Sequence, residues 1–254
     1  MKVLVTFAVE AELAPWKRRL ELRAADRNDV AMHSATLLGV EIDFAVTGIG
    51  PANASRLATD LLNKPYDLCI ASGFAGALRS GHAVGQIVTP RNVRHFESPR
   101  TIECDTEFTA LAASKGAEEI DTLLSLNRVA ATLDEKAQLA PFADACDMES
   151  FAVLSAAAAR SVPAIAIRAI SDSSDDSVPT GISDLVNDAG RVKLGSVVKF
   201  LAGHPFQLLA VARLALHTKA AARSLARFLE SYVTSLALSS RLSVGEELQG
   251  VGSR

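Results

Sequence analysis

AIAIRAISDSSDD, residues 164–176, runs apolar for most of seven positions and then breaks into serines and aspartates. The β-branched run predicts a buried strand over 164–170, and the polar cluster marks where it ends. Arg168 inside that strand needs a partner or a pocket, because an unpaired buried guanidinium is costly. The acids after it have three readings. Asp172 could cap a following helix, or Asp172, Asp175 and Asp176 with their serines could hold a hard cation. The reading preferred here makes Asp172 an active-site acid at a strand end, since in α/β sheets ligands gather outside the carboxyl ends of the strands.

Similar short apolar runs recur upstream and predict strands at 2–9, 30–40, 42–47, 67–72, 85–90 and 128–132. Between them, 51–62 and 149–160 carry helical spacing and Ala/Leu content. This alternation predicts an α/β fold: a three-layer αβα sandwich whose central sheet is mixed but largely parallel. No linker divides the chain, so a single domain over 1–235 is expected, with a helical extension from about residue 180. Within it, 191–202 and 205–234 read as helices, broken by Gly203-His204-Pro205. Residues 236–254 read as a loose, flexible tail.

Composition narrows the function classes. Of 254 residues, 49% are hydrophobic and 22% charged, which suits a well-packed core. A formal charge of −3 gives no general electrostatic reason to expect nucleic acid as a partner. Cys69, Cys104 and Cys146 lack metal-ligand spacing and read as inert thiols in a reducing compartment. The first residues lack the pattern of a secretory signal, and no apolar window of about twenty residues could span a bilayer. A cytoplasmic location is expected.

The other strand ends also collect chemistry-bearing residues. Glu10 and Glu12 follow the first strand. Gly48-Ile49-Gly50-Pro51 opens a helix, where free amides could meet an anion or a hydroxyl; a plain tight turn explains it equally. In SGFAGAL (72–78), small residues would let a flat ligand approach the backbone, and Phe74 could stack on it. In DMESFAV (147–153), Asp147 and Glu149 suit the start of a helix, and Glu149 could instead accept two sugar hydroxyls.

Taken in order, an early Glu, TGIG, a GxAG loop, DME and RAISD resemble the purine nucleoside phosphorylase superfamily over residues 1 to about 176. The nearest branch is the methylthioadenosine/S-adenosylhomocysteine nucleosidases. TLDEKAQLA (132–140), DMES, SDSSDD before Val-Pro, and the segment from DAGR to LAL (188–216) also resemble the hopanoid-associated phosphorylases. The resemblance implies cleavage of the N-glycosidic bond of a purine, adenine-type, nucleoside. Asp172 would protonate the leaving base, Glu12 would take the proton of an attacking water, and Arg168 would stand near that water or a carboxylate. Glu149 would grip the ribose hydroxyls over Met148. Phe74, Ala75, Gly76, Ile49, Gly50 and Ser171 would line the substrate. Neither metal nor organic cofactor is needed, and the family implies a homodimer or higher oligomer.

The chain departs from the nucleosidases in two places. They commonly have a serine where Phe74 stands, and a Phe-Ile pair, for holding adenine, where this chain has TLDEK. Water is preferred over phosphate as nucleophile, because Glu10 and Glu12 would repel a dianion that needs arginines. Arg79 and Arg168 are the residues that could reverse this preference. A nucleoside-binding protein without catalysis is the remaining alternative. The basic amphipathic stretch 206–234 reads first as a helix packed on the sheet or on a second subunit, and second as a peripheral membrane contact.

Overall fold

The computed structural model describes residues 1–20, 22–27, 30–179 and 208–251. Ten strands join in one sheet: β1 (Lys2–Phe7), β2 (Arg23–Arg27), β3 (Val30–Leu37), β4 (Val40–Val46), β5 (Leu68–Ala77), β6 (Ile87–His95), β7 (Thr101–Glu103), β8 (Glu118–Ser125), β9 (Ala145–Asp147) and β10 (Ala164–Asp172). The helices are α1 (Glu10–Lys17), α2 (Pro51–Leu61), α3 (Thr106–Ser114), α4 (Leu133–Leu139), α5 (Ser150–Ala158) and α6 (Leu208–Val251).

The strands run in the order β10-β6-β8-β9-β5-β1-β4-β3-β2, and β10 also pairs with β5. That extra pairing closes β5, β10, β6, β8 and β9 into a ring of five strands, a closure that the expected layered sheet did not include. The sheet is mixed, but parallel pairs do not dominate. β1–β4, β1–β5, β5–β10, β6–β8 and β8–β9 are parallel, and β2–β3, β3–β4, β5–β9, β6–β7 and β6–β10 antiparallel.

β5 explains where a site can form. Its first half, Leu68–Ala71, lies beside β1, while Gly76 and Ala77 pair with β9. Between these neighbours, residues 72–75 have a sheet partner on the β10 side only. The sheet therefore forks, and backbone donors on the open side must be satisfied by something other than a strand.

The predicted helix at 51–62 begins at Pro51, as its missing N–H allows. The strand expected at 128–132 does not form. Thr132 caps α4 through the Glu135 amide, and Glu135 Oε2 accepts from Ala131 and Thr132 N–H, which commits this segment to a helix entry. The strand lies upstream, at Glu118–Ser125, where acids at exposed positions mask its apolar side. The helix read at 191–202 and the break at 203–205 fall outside the described residues.

α6 runs on to Val251, into the stretch read as a tail. Ala221, Ala222, Leu225, Ala226, Phe228, Leu229, Tyr232, Val233, Leu236 and Ala237 are buried at helical spacing. The helix packs on β10 and α1, and Tyr232 Oη donates to Phe108 O (3.0 Å). Its apolar face over 221–237 is thus occupied by the chain's own core. Among the described residues, no helix is long and apolar enough to cross a membrane.

Candidate active site

A cavity of about 690 Å³ opens at the fork, lined by α1, the Ile49 turn, β5, residues 126–130, the β9–α5 junction, the end of β10, and α6. Glu12, Ile49, Phe74, Ala75, Gly76, Met148, Glu149, Ser171 and Asp172 all contribute to its wall. Five separate stretches of sequence converge: Glu12, Ile49 and Met148-Glu149 follow β1, β4 and β9, Phe74–Gly76 lie within the second half of β5, and Ser171 and Asp172 end β10.

Glu12 occupies the gap between β1 and β9. Its Oε1 accepts the Phe74 N–H (2.8 Å), the backbone donor that the fork leaves without a strand partner, and Oε2 accepts from Ala8 and Val9 N–H (2.8 and 3.1 Å). Burial raises its carboxyl above the ordinary range, opposed by Arg168 and these amides. Gly73 is required here: its φ is +142°, and a Cβ would stand 2.6 Å from both Glu12 Oε1 and Arg168 Nη1.

Glu149 is buried in the cavity wall, and its Oε1 accepts the Gly50 N–H (2.8 Å). Burial and then the neighbouring Asp147 push its carboxyl up to about 8, with Arg168 acting against them. Gly50 itself does not line the cavity; its amide, expected to be free for a ligand, is spent on Glu149. The N-cap position falls on Glu149 and not on Asp147 as foreseen, although Asp147 Oδ2 still accepts from Ser150 N–H (2.8 Å) at the helix start.

Of the two places expected for Arg168, near the attacking water or near a carboxylate, the structure has the carboxylate. Arg168 is 1% exposed, does not line the cavity, and pairs with Asp147 Oδ2 (2.5 Å). It also donates to Ser150 Oγ (3.1 and 2.7 Å) and Ser72 O (3.2 Å). The guanidinium lies behind the wall, close to Glu12, as the cation among three buried acids. Its pairing meets the cost that an isolated charge would impose.

Asp172 reaches the cavity from the end of β10. Ser171 Oγ donates to its Oδ1 (2.6 Å), and Lys136 Nζ, on α4, donates to its Oδ2 (2.5 Å) and to Ser173 O (2.6 Å). Sequence reasoning missed Lys136. The nearest signal was a lysine within a short helix of mixed polarity, which reads as solvated, yet this one is 1% exposed. Asp176 turns away, accepting from Ser173 and pairing with Arg213 (2.7 Å) on α6. Arg79 also points elsewhere, to Asp144 (2.7 Å) and Ala140 O.

A family profile, the Phosphorylase superfamily, matches residues 2–126 and 127–199. The chain belongs to the phosphorylase superfamily. Within it, the chain is 32% identical to the 5'-methylthioadenosine/S-adenosylhomocysteine nucleosidase of Maridesulfovibrio salexigens over 126 residues, 49% of this chain and 54% of that one. Against the same-named nucleosidase of Shewanella pealeana it is 26% identical over 229 residues, 79% of this chain and 99% of the other. Two solved members share the fold. The Neisseria meningitidis nucleosidase in complex with methylthio-immucillin-A superposes with a TM-score of 0.72 at 21% identity, over 92% of this chain and 99% of that one. Futalosine hydrolase of Helicobacter pylori gives 0.72 at 18% identity, over 92% and 98%. The superfamily resemblance drawn from the motifs agrees with these matches.

Proposed function

We propose that the chain is a nucleosidase that hydrolyses the N-glycosidic bond of a purine, adenine-type, nucleoside. The observation that carries this reading is that Glu12, Glu149 and Asp172 share one cavity large enough for a nucleoside. Breaking the bond builds positive charge on the sugar and negative charge on the base, as in glycoside hydrolysis. Asp172 protonates the departing base, Glu12 takes a proton from the attacking water, and Glu149 accepts the ribose hydroxyls above Met148. Phe74, Ala75, Gly76, Ile49 and Ser171 form the wall around base and sugar. Arg168 acts from behind, holding Asp147 and moderating the acids.

Water, rather than phosphate, fits the wall. Arg128 is the arginine lining the cavity among the described residues, and it is already paired with Glu135. Arg79 and Arg168, which could have favoured phosphate, are engaged outside the cavity. The names of the relatives suggest methylthioadenosine or S-adenosylhomocysteine as substrate. A homodimer or higher oligomer in the cytoplasm belongs to the same proposal.

The test is to incubate the protein with methylthioadenosine, S-adenosylhomocysteine, inosine and a lipid-linked adenosine, with and without phosphate, following free base and sugar 1-phosphate. Base release without phosphate is the expected result. Phosphate-dependent release with sugar 1-phosphate would make the chain a phosphorylase, and binding without release would make it a nucleoside-binding protein.

A further inference from the structure

We propose that Lys136 is the positioning residue for Asp172, and that the proton given to the leaving base is held by the Lys136–Asp172 pair rather than by Asp172 alone. The inference rests on the nucleosidase reading of Asp172 and adds a residue to which the motifs gave no role. Its basis is placement. Lys136 is among the largest fully buried side chains, yet it does not line the cavity, so it approaches Asp172 from behind and leaves the front of the carboxyl to the substrate. A lysine that loses this much hydration needs strong partners, and it has two, Asp172 Oδ2 at 2.5 Å and Ser173 O at 2.6 Å.

These contacts fix the carboxyl from both ends. Ser171 Oγ holds Oδ1 at 2.6 Å while Lys136 holds Oδ2, and Gly76 leaves the room that Oδ2 needs, since a Cβ there would lie 2.8 Å from it. An acid with one orientation delivers its proton along one line, which is where positional accuracy converts to rate. The backbone carbonyl of Ser173 ties the ammonium to the chain just beyond β10, so acid and cation move together.

Lys136 Nζ and Asp172 Oδ2, 2.5 Å apart, are joined by a charge-assisted hydrogen bond. A lone ionised carboxylate has no proton to give, so a donor role for Asp172 requires the pair to be counted as one acid. As the C1′–N9 bond breaks, its electron pair goes to the base, and one proton leaves the pair for the imidazole nitrogen of the purine. Water adds to C1′ and its spare proton passes to Glu12. The pair is left as an amine and a carboxylate, one proton short, and regains it from solvent once the base departs.

The surrounding charged groups leave the pair to itself. Cys146 on β9 faces both members, and burial pushes its thiol up to about 12, so it stays neutral. Asp147, next on β9, is matched by Arg168 of β10. Asp176, beyond Ser173, is matched by Arg213 and lies near His217, both on α6. Glu135, beside Lys136 on α4, is paired with Arg128.

The experiment compares kcat and KM from pH 5 to 10 for the wild-type protein, Lys136→Met and Lys136→Gln, with Asp172→Asn as control and a chosen substrate from the assay above. The expected result for both Lys136 variants is a KM within about threefold of wild type and a kcat at pH 8 lower by at least tenfold. Their alkaline loss of kcat should also begin at least one pH unit lower, because Asp172 must then carry the proton unaided. An alkaline limb that stays put or moves upward would overturn the inference, since removing a mere counter-ion makes a carboxyl easier to protonate. Lys136→Gln keeps a hydrogen-bond donor and serves if the methionine variant does not fold. Asp172→Asn with full activity would sink the nucleosidase assignment of Asp172 instead, a result separate from the behaviour of the Lys136 variants.

Discussion

Replacing Glu149 by glutamine should change how stability depends on pH, and the structure sets both direction and size. The carboxyl is buried beside Asp147 and sits at about 8 against an ordinary 4.5. Between those values the native protein keeps a proton that the unfolded chain has released, so native stability is full below about pH 4.5 and declines as pH rises through about 8. Each unit of displacement corresponds to about 1.4 kcal/mol, so the decline attributable to this site has an upper limit of about 5 kcal/mol. Glutamine keeps an oxygen for the Gly50 N–H and cannot ionise. Urea unfolding at pH 5 and pH 8.5 is the assay. Wild type should lose several kcal/mol more than Glu149→Gln between the two conditions, and equal losses within about 0.5 kcal/mol would refute the reasoning. A second consequence concerns binding. If two ribose hydroxyls donate to Glu149, the carboxyl must ionise, so a bound nucleoside analogue should release about one proton near pH 7, read by calorimetry in buffers of different ionisation enthalpy.

Other substitutions probe the same wall. Gly76→Ala places a Cβ 2.8 Å from Asp172 Oδ2, at a backbone angle that alanine tolerates. It should leave the fold intact, by circular dichroism, while lowering kcat at least tenfold through displacement of the acid. Arg168→Met removes the cation from Asp147 and should cost about 3–5 kcal/mol in urea unfolding, because it leaves a buried carboxylate unpaired. Cys69 and Cys146, both raised to about 12 by burial, should resist alkylation at pH 8 in the native protein and react fully in denaturant. Rapid native labelling of either would show that the structure opens far more readily than its packing implies.

Much of this protein is legible from residue order. Apolar runs of strand length fixed the α/β class, Pro51 marked a helix start, and the acids at strand ends named Glu12, Glu149 and Asp172, which do share one cavity. Structural uses as caps or helix-start acids were open to them as well, and what singled them out was the resemblance of the early Glu, DME and RAISD motifs to the superfamily to which the chain belongs. The small residues in SGFAGAL were also visible, and the structure gives their purpose: Gly73 and Gly76 make room for the carboxyl groups of Glu12 and Asp172.

Tertiary structure alone decided the rest. Local sequence cannot say that β10 pairs on both sides and closes a ring, since pairing depends on strands more than sixty residues away. Nor can it distinguish a lysine in solvent from one buried behind an acid. Lys136 and Arg168 are opposite instances of this. The strand's apolarity announced that Arg168 was buried but not that its partner would be Asp147 behind the cavity, and nothing local announced Lys136 at all. A buried charge is set by what it faces, and what it faces comes from another part of the chain.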